Sequence, residues 1–185
     1  MKKYSQGSVN GRFQPFHKDH LHYCLEAKKR CNFLLIGITQ IYTKKLIPSS
    51  AGKHRAVDFN NPLTYFERQK IIYSSLLEAG LRRDSFEILP FPIDEPIHLY
   101  DFLPTTVPIF TTVNDQWNIH KIKILEKAGY RVIVLWRKRK VHQGCHIREL
   151  IYLDNPEWKV HVPPGSVAIL EEINISKRLK ELRNR

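Results

Sequence analysis

The order of apolar and polar residues predicts an α/β fold, a parallel sheet of about five strands with helices on both faces. Strand-length apolar runs and stretches of helical spacing take turns about five times along the chain, which is the pattern of right-handed crossovers. The run Phe33-Leu-Leu-Ile-Gly-Ile-Thr39 is apolar without alternation, as in a strand covered on both faces. Gly80 and Gly129 each stand where a helical stretch stops. With 185 residues, 42% hydrophobic and 26% charged, the chain suffices for one domain, 1–185, with a full core.

In order, residues 4–9 read as a short strand, and Leu21, Cys24 and Leu25 mark a helix from near Lys18 to about Cys31. After the strand at 33–39, residues 40–62 are a long polar stretch, expected to form a flexible loop over the site. Thr64 and Glu67 are spaced for a capping box, and Phe66, Tyr73, Leu76 and Leu77 are expected to be the buried stripe of the helix that follows. Residues 86–89 form the next strand. Pro92, Asp94 and Pro96 break the chain before a short turn at 99–103. A strand at 107–113 leads to a helix capped by Asn114 or Asp115 and carrying Ile119, Ile122, Leu125 and Ala128. Residues 131–136 are the fifth strand, and a helical segment occupies about 163–185.

The most informative stretch is Gly11-Arg-Phe-Gln-Pro-Phe-His-Lys-Asp-His20, on the first strand-to-helix turn. The first amides of a helix have no partners within it, and the helix dipole adds positive charge there, so an anion is the natural ligand. Gly11 permits a sharp turn or close approach, and Pro15 stiffens the entry. His17 and His20, three residues apart, share one helix face, with Arg12 and Lys18 adding cationic donors. Such a set suits a polyphosphate. A zinc site from His17, His20, His22 and Cys24 lacks a second ligand cluster, so no metal ligands are assigned.

Composition excludes several classes. No apolar run has the length of a membrane span, and Met1-Lys-Lys leads into polar residues, so a cytoplasmic protein is expected. Cys24, Cys31 and Cys145 are too scattered for a disulfide framework. The net charge of +12 is spread along the chain without a nucleic-acid motif, and nucleoside phosphates account for it adequately. Neither GxGxxG nor GxxxxGK[ST] occurs.

The motif Gly-Arg-Phe-Gln-Pro-Phe-His-x-x-His resembles the signature of the HxGH nucleotidylyltransferases, in wording that of the archaeal-type nicotinamide-mononucleotide adenylyltransferases, with Asp19 in place of the family's glycine. Arg137-Lys-Arg-Lys-Val-His-Gln-Gly-Cys-His-Ile-Arg148 resembles the family's ISxTxxR segment; Gly144 and Arg148 fit it, while Gln143 and Cys145 stand where Ser and Thr are usual. Asn61-Pro-Leu-Thr-Tyr-Phe-Glu-Arg68 is similar to the family's Asn/Asp-Pro-Phe-Thr-x-x-Glu-Arg helix start. The segment from Pro163 to Asn174 is similar to the family's C-terminal helix. Asp94 and Tyr100 stand where the family keeps an acidic residue and a stacking tryptophan, and Asn114 matches its asparagine after the fourth strand.

The resemblance implies a Rossmann-like nucleotidylyltransferase fold and transfer of AMP from ATP to a mononucleotide phosphate, releasing pyrophosphate, with Mg²⁺ accompanying ATP. Nicotinamide mononucleotide is the implied acceptor and NAD the product. Carried over, the catalytic residues are His17, His20, Arg12, Lys18 and Arg148. Gly11, Phe13, Gln14, Asp19, Gly144, Arg137 and Arg139 contact the nucleotide, and Asp94, Tyr100 and Asn114 the acceptor. A homo-oligomer is also implied. Because a carboxylate at a helix start competes with phosphate for the same amides, Asp19 leaves three readings open. It turns outward and activity is ordinary, the site is retuned to another acceptor or nucleoside triphosphate, or the chain binds and senses nucleotide without catalysis.

Overall fold

The structure, a computed structural model, describes residues 4–42, 57–114, 116–137 and 141–184. Most of the expected loop at 40–62, together with Asp115 and Arg139, lies outside them. The chain divides into two compact units. One comprises Met1–Arg12, His22–Ile41 and Arg82–Lys140; the other comprises Phe13–Leu21, Tyr42–Leu81 and Val141–Arg185.

The first unit holds a five-stranded, all-parallel sheet in the order β3-β2-β1-β4-β5, built from β1 (Tyr4–Gly11), β2 (Cys31–Ile38), β3 (Phe86–Pro90), β4 (Ile109–Val113) and β5 (Val132–Arg137). The strand order reverses at β1, which is the place where sheets of this kind receive ligands beyond their C-terminal ends. β1 corrects the sequence reading. It is not a short strand over 4–9 but the central one, eight residues long and registered with β2 from Tyr4 to Gly11. Its Gly7 and Ser8 hide it from an apolar pattern. A Cβ on Gly7 would lie 2.3 Å from the Phe110 ring, so glycine here admits a close neighbour on β4.

Between the strands run α1 (Lys18–Lys28), whose first residues belong to the second unit, and α3 (Gln116–Lys127). Tyr23 of α1 donates its hydroxyl to the Phe110 carbonyl. On α3, Leu125 enters a core cluster with Phe91, Leu99, Leu103, Ile109 and Tyr130, whereas Ile119 is 38% exposed. A 3₁₀ turn at Pro96–Asp101 fills the break between β3 and β4.

The second unit contains α2 (Tyr65–Glu78), α4 (Gly144–Tyr152), α5 (Pro164–Glu172) and α6 (Ile175–Arg183). α2 starts with the capping box read from the sequence: Glu67 N donates to Thr64 Oγ1 and Thr64 N to Glu67 Oε2. Its buried face differs from expectation. Arg68, Ile71, Ile72, Ser75 and Leu76 are inside, while Phe66 and Leu77 are 65% and 45% exposed. The helical repeat fixes one face, and residues chosen for apolarity alone straddled two. Small residues bring α5 onto α2, since Ser75 Oγ and Ser166 Oγ lie 2.9 Å apart and a Cβ on Gly165 would sit 2.6 Å from Ser74 Oγ.

Gly37 of β2 faces Phe91 at comparably close quarters, with a Cβ placed 2.4 to 2.7 Å from three of its carbons, one of them its own Cβ. Phe91 is fully buried and has nowhere to swing. Gly37→Ala is therefore expected to destabilise the protein by roughly 1–3 kcal/mol in a denaturant titration, as overpacked cores do.

Candidate active site

The motif turn is shaped from inside. Gly11, given the sharp bend by the sequence reading, ends β1 in the sheet, its carbonyl accepting from Thr39 N at 3.0 Å. The left-handed residue is Phe13, at φ 54°. A phenylalanine there carries backbone strain on the order of 1–3 kcal/mol, which persists only where packing over-determines it. The Phe13 ring is 1% exposed and meets Phe16 at 5.5 Å and the edge of His20 at 4.9 Å. Gln14 is equally committed. Its Nε2 donates to Leu63 O at 2.8 Å and its Oε1 accepts from Leu63 N at 3.0 Å, clamping the turn to the start of α2.

His17 is the N-cap of α1, its carbonyl accepting from Leu21 N. His20, three residues on, accepts from His17 N through Nδ1 at 3.4 Å, the position that Glu or Gln takes in a capping box. Since Nδ1 accepts, the neutral His20 ring carries its proton on Nε2, where it is a donor. The two rings stack with centroids 3.6 Å apart at 21°. His17 is 2% exposed, and Lys18 beside it is exposed.

Asp19 has partners outside its own helix. Its Oδ2 accepts from Val141 N at 2.9 Å and His142 N at 3.0 Å, so the carboxylate is engaged by the segment leading into α4. α4 itself has Gln143 as N-cap with no side-chain capping bond, as expected where hydroxyl residues are missing. Two helix starts thus meet in this unit: α1 carries Asp19 in its first turn, while α4 has neither a side-chain cap nor an acidic residue in its own first turn, which leaves its amides a setting for an anion.

Arg148 ties the two starts together. It is 3% exposed; Nη1 donates to the Gln14 carbonyl and Nη2 to Asn60 Oδ1, both neutral acceptors. Nε is buried and has no hydrogen-bond partner among the described residues. Burial lowers its pKa to about 10, so it remains a cation at neutral pH. Gly144 allows the approach, because a Cβ there would stand 3.0 Å from Gln14 O and 3.2 Å from Arg148 Nη1.

The chain is 33% identical to the phosphonoformate cytidylyltransferase of Streptomyces viridochromogenes over 175 residues, which are 94% of this chain and 95% of that protein. It is 31% identical to the nicotinamide-nucleotide adenylyltransferase of Saccharolobus solfataricus over 180 residues, 96% of each. The chain belongs to the nucleotidylyltransferases. No family model matches the transferase. Among solved structures, a bifunctional NMN adenylyltransferase/ADP ribose pyrophosphatase from Francisella tularensis shares the fold, with a TM-score of 0.70 and 18% identity over 98% of this chain and 53% of that one.

Within its second unit the transferase brings together Phe13, Gln14, His17, Lys18, Asp19, His20, Gly144 and Arg148. The other expected residues belong to the sheet unit. Arg12 is half-buried just past β1, and Arg137 is exposed at the end of β5. Asp94 is half-buried after β3, and Tyr100 is 70% exposed in the 3₁₀ turn. Asn114 donates from Nδ2 to Thr112 Oγ1 and from its backbone N to Asn118 Oδ1. No helix among the described residues is long and apolar enough to cross a membrane.

Sequence reasoning missed Asn60 and a histidine cluster. His142 Nδ1 and His161 Nδ1 are 3.0 Å apart, and the His146 ring lies against His161 at 5.4 Å. His142 and His146 stand four apart in the sequence, but nothing in it ties them to His161. One nitrogen of the 3.0 Å pair must be unprotonated to accept. Burial, then His142, His146 and Lys18, hold the His161 pKa below its ordinary 6.5. Around and below pH 6.5 the unfolded chain therefore binds protons that the folded one resists. This stability is present above the unfolded value and is lost as pH falls through the folded one. The melting temperature is expected to fall between about pH 7.5 and about pH 5.5 by more in the wild type than in His161→Gln, as differential scanning calorimetry would measure.

Proposed function

We propose that this transferase moves AMP from ATP to the phosphate of nicotinamide mononucleotide, giving NAD and pyrophosphate. The observation that carries the reading is the pair of stacked imidazoles at the start of α1, tied through Arg148 to the uncapped start of α4. Such a set fits linked phosphates better than any neutral ligand. The acceptor phosphate is ionised at neutral pH, so its oxygen attacks the α-phosphorus without a general base. The new P–O bond forms as the bond to the bridging oxygen breaks, and pyrophosphate departs with the electron pair.

The work of the protein is positioning and charge neutralisation. His20 Nε2–H donates to the transferring phosphoryl group, with His17 stacked beside it. Arg148 and Lys18 balance the charge of the leaving group, with Gly144 beside them; Arg12 and Arg137 are assigned to the phosphates by the family resemblance. Asp94, Tyr100 and Asn114 are assigned to the acceptor. Among the described residues no three His, Cys, Asp or Glu side chains are grouped to hold a metal. The Mg²⁺ of this reading would come with the triphosphate and would supply further charge neutralisation.

A second reading draws on the Streptomyces relative, whose name describes cytidylyl transfer to phosphonoformate. The same two helix starts and the same guanidinium suit CTP and a small phosphonate. Pyrophosphate release measured with ATP or CTP, each paired with nicotinamide mononucleotide or phosphonoformate, decides between them. Release only with CTP and the phosphonate would replace the first reading. No release with any pair, alongside tight nucleotide binding, would make the protein a nucleotide sensor. His20→Ala is expected to lower kcat about 10²- to 10³-fold, as loss of one preorganised donor does, and to change ATP affinity far less. Equal losses in both would contradict the role given to His20.

A further inference from the structure

We propose that Asp19 is a positioning residue for the triphosphate site: one carboxylate oxygen fixes the two amides that lead into α4, so the helix carrying the histidine pair also sets the place of the second helix start. The inference rests on the phosphate-binding reading above and assigns a role to a residue that departs from the HxGH pattern.

Three observations carry it. Asp19 is the second residue of α1, where a carboxylate ordinarily bonds to its own helix, yet its Oδ2 takes both Val141 N and His142 N. Those amides immediately precede Gln143, the N-cap of α4, and a charged acceptor shared by two backbone donors is a strong, directional tie. The same segment is anchored from its other side, because the His142 ring bonds His161 while its backbone bonds Asp19. Arg148, one helical turn further along α4, is then delivered to the Gln14 carbonyl in the turn that Asp19 follows. The Asp19 carboxylate does not bind phosphate; it holds what does.

The test compares the full-length wild type, Asp19→Ala and Asp19→Asn. Asparagine keeps a side-chain oxygen for the same two N–H groups, and alanine keeps nothing. Hydrogen exchange of the ligand-free protein should show the Val141 and His142 amides opening about tenfold faster in Asp19→Ala, with Asp19→Asn close to the wild type. The KM for the nucleoside triphosphate should rise about tenfold in Asp19→Ala with kcat within about threefold, and Asp19→Asn should restore it. Unchanged exchange in Asp19→Ala would overturn the tie. Faster exchange with an unchanged KM would overturn the positioning role, and so would equal damage in Asp19→Asn, since the effect would then be one of charge. Should the wild type bind neither ATP nor CTP in calorimetry, the proposed function fails and the positioning role with it, while the exchange result still decides the tie.

Discussion

The arrangement depends on a buried guanidinium held by neutral acceptors. Burying a cation without a counter-ion is costly, and proteins usually offset it with a carboxylate. Arg148 has instead a carbonyl and an amide oxygen, and no carboxylate within ion-pair distance among the described residues. Its neighbour Glu149 is engaged by Arg183. Among the described residues the guanidinium thus has no ion-pair partner at the junction of the two helix starts, where an anion would supply one. The strained Phe13, the clamp of Gln14 on Leu63 and the absent side chain of Gly144 are all conditions for bringing that guanidinium to the motif turn.

Much of this was legible in the sequence, for physical reasons that differ between elements. The parallel sheet was readable because covered strands are apolar along their whole length, as in β2. The capping box of α2 was readable because Thr64 and Glu67 must stand three residues apart to bond reciprocally. β1 was underrated because its register depends on small residues that accept a ring from β4. The face of α2 was misjudged because Arg68 is buried by tertiary context, and no apolarity scale places an arginine inside.

In the site, residue types were legible and partners were not. His17 and His20 stand out by spacing and chemistry, whereas Arg148 stands out only through the resemblance of its segment to the family's ISxTxxR pattern. Sequence alone could weigh the conflict at Asp19 but could not see that the residues bonding its carboxylate lie more than a hundred positions away. Gln14 and Phe13 sit in a motif associated with nucleotide, yet the structure commits both side chains to forming the turn. Asn60 and the cluster of His142, His146 and His161 are tertiary assemblies with no linear signature.

The last helix has a bearing on this that its distance in sequence conceals. Arg183 of α6 lies between the rings of Phe59 and Tyr152, 4.3 and 4.2 Å from their centroids, while bonding Glu149 on α4. Phe59 precedes Asn60, and Glu149 follows Arg148. α6 therefore acts as a buttress behind Asn60, which receives the guanidinium, and behind the helix that carries it. Trimming α6, or fusing a bulky partner directly onto it, would be felt at the opposite end of the sequence, in the opening motif.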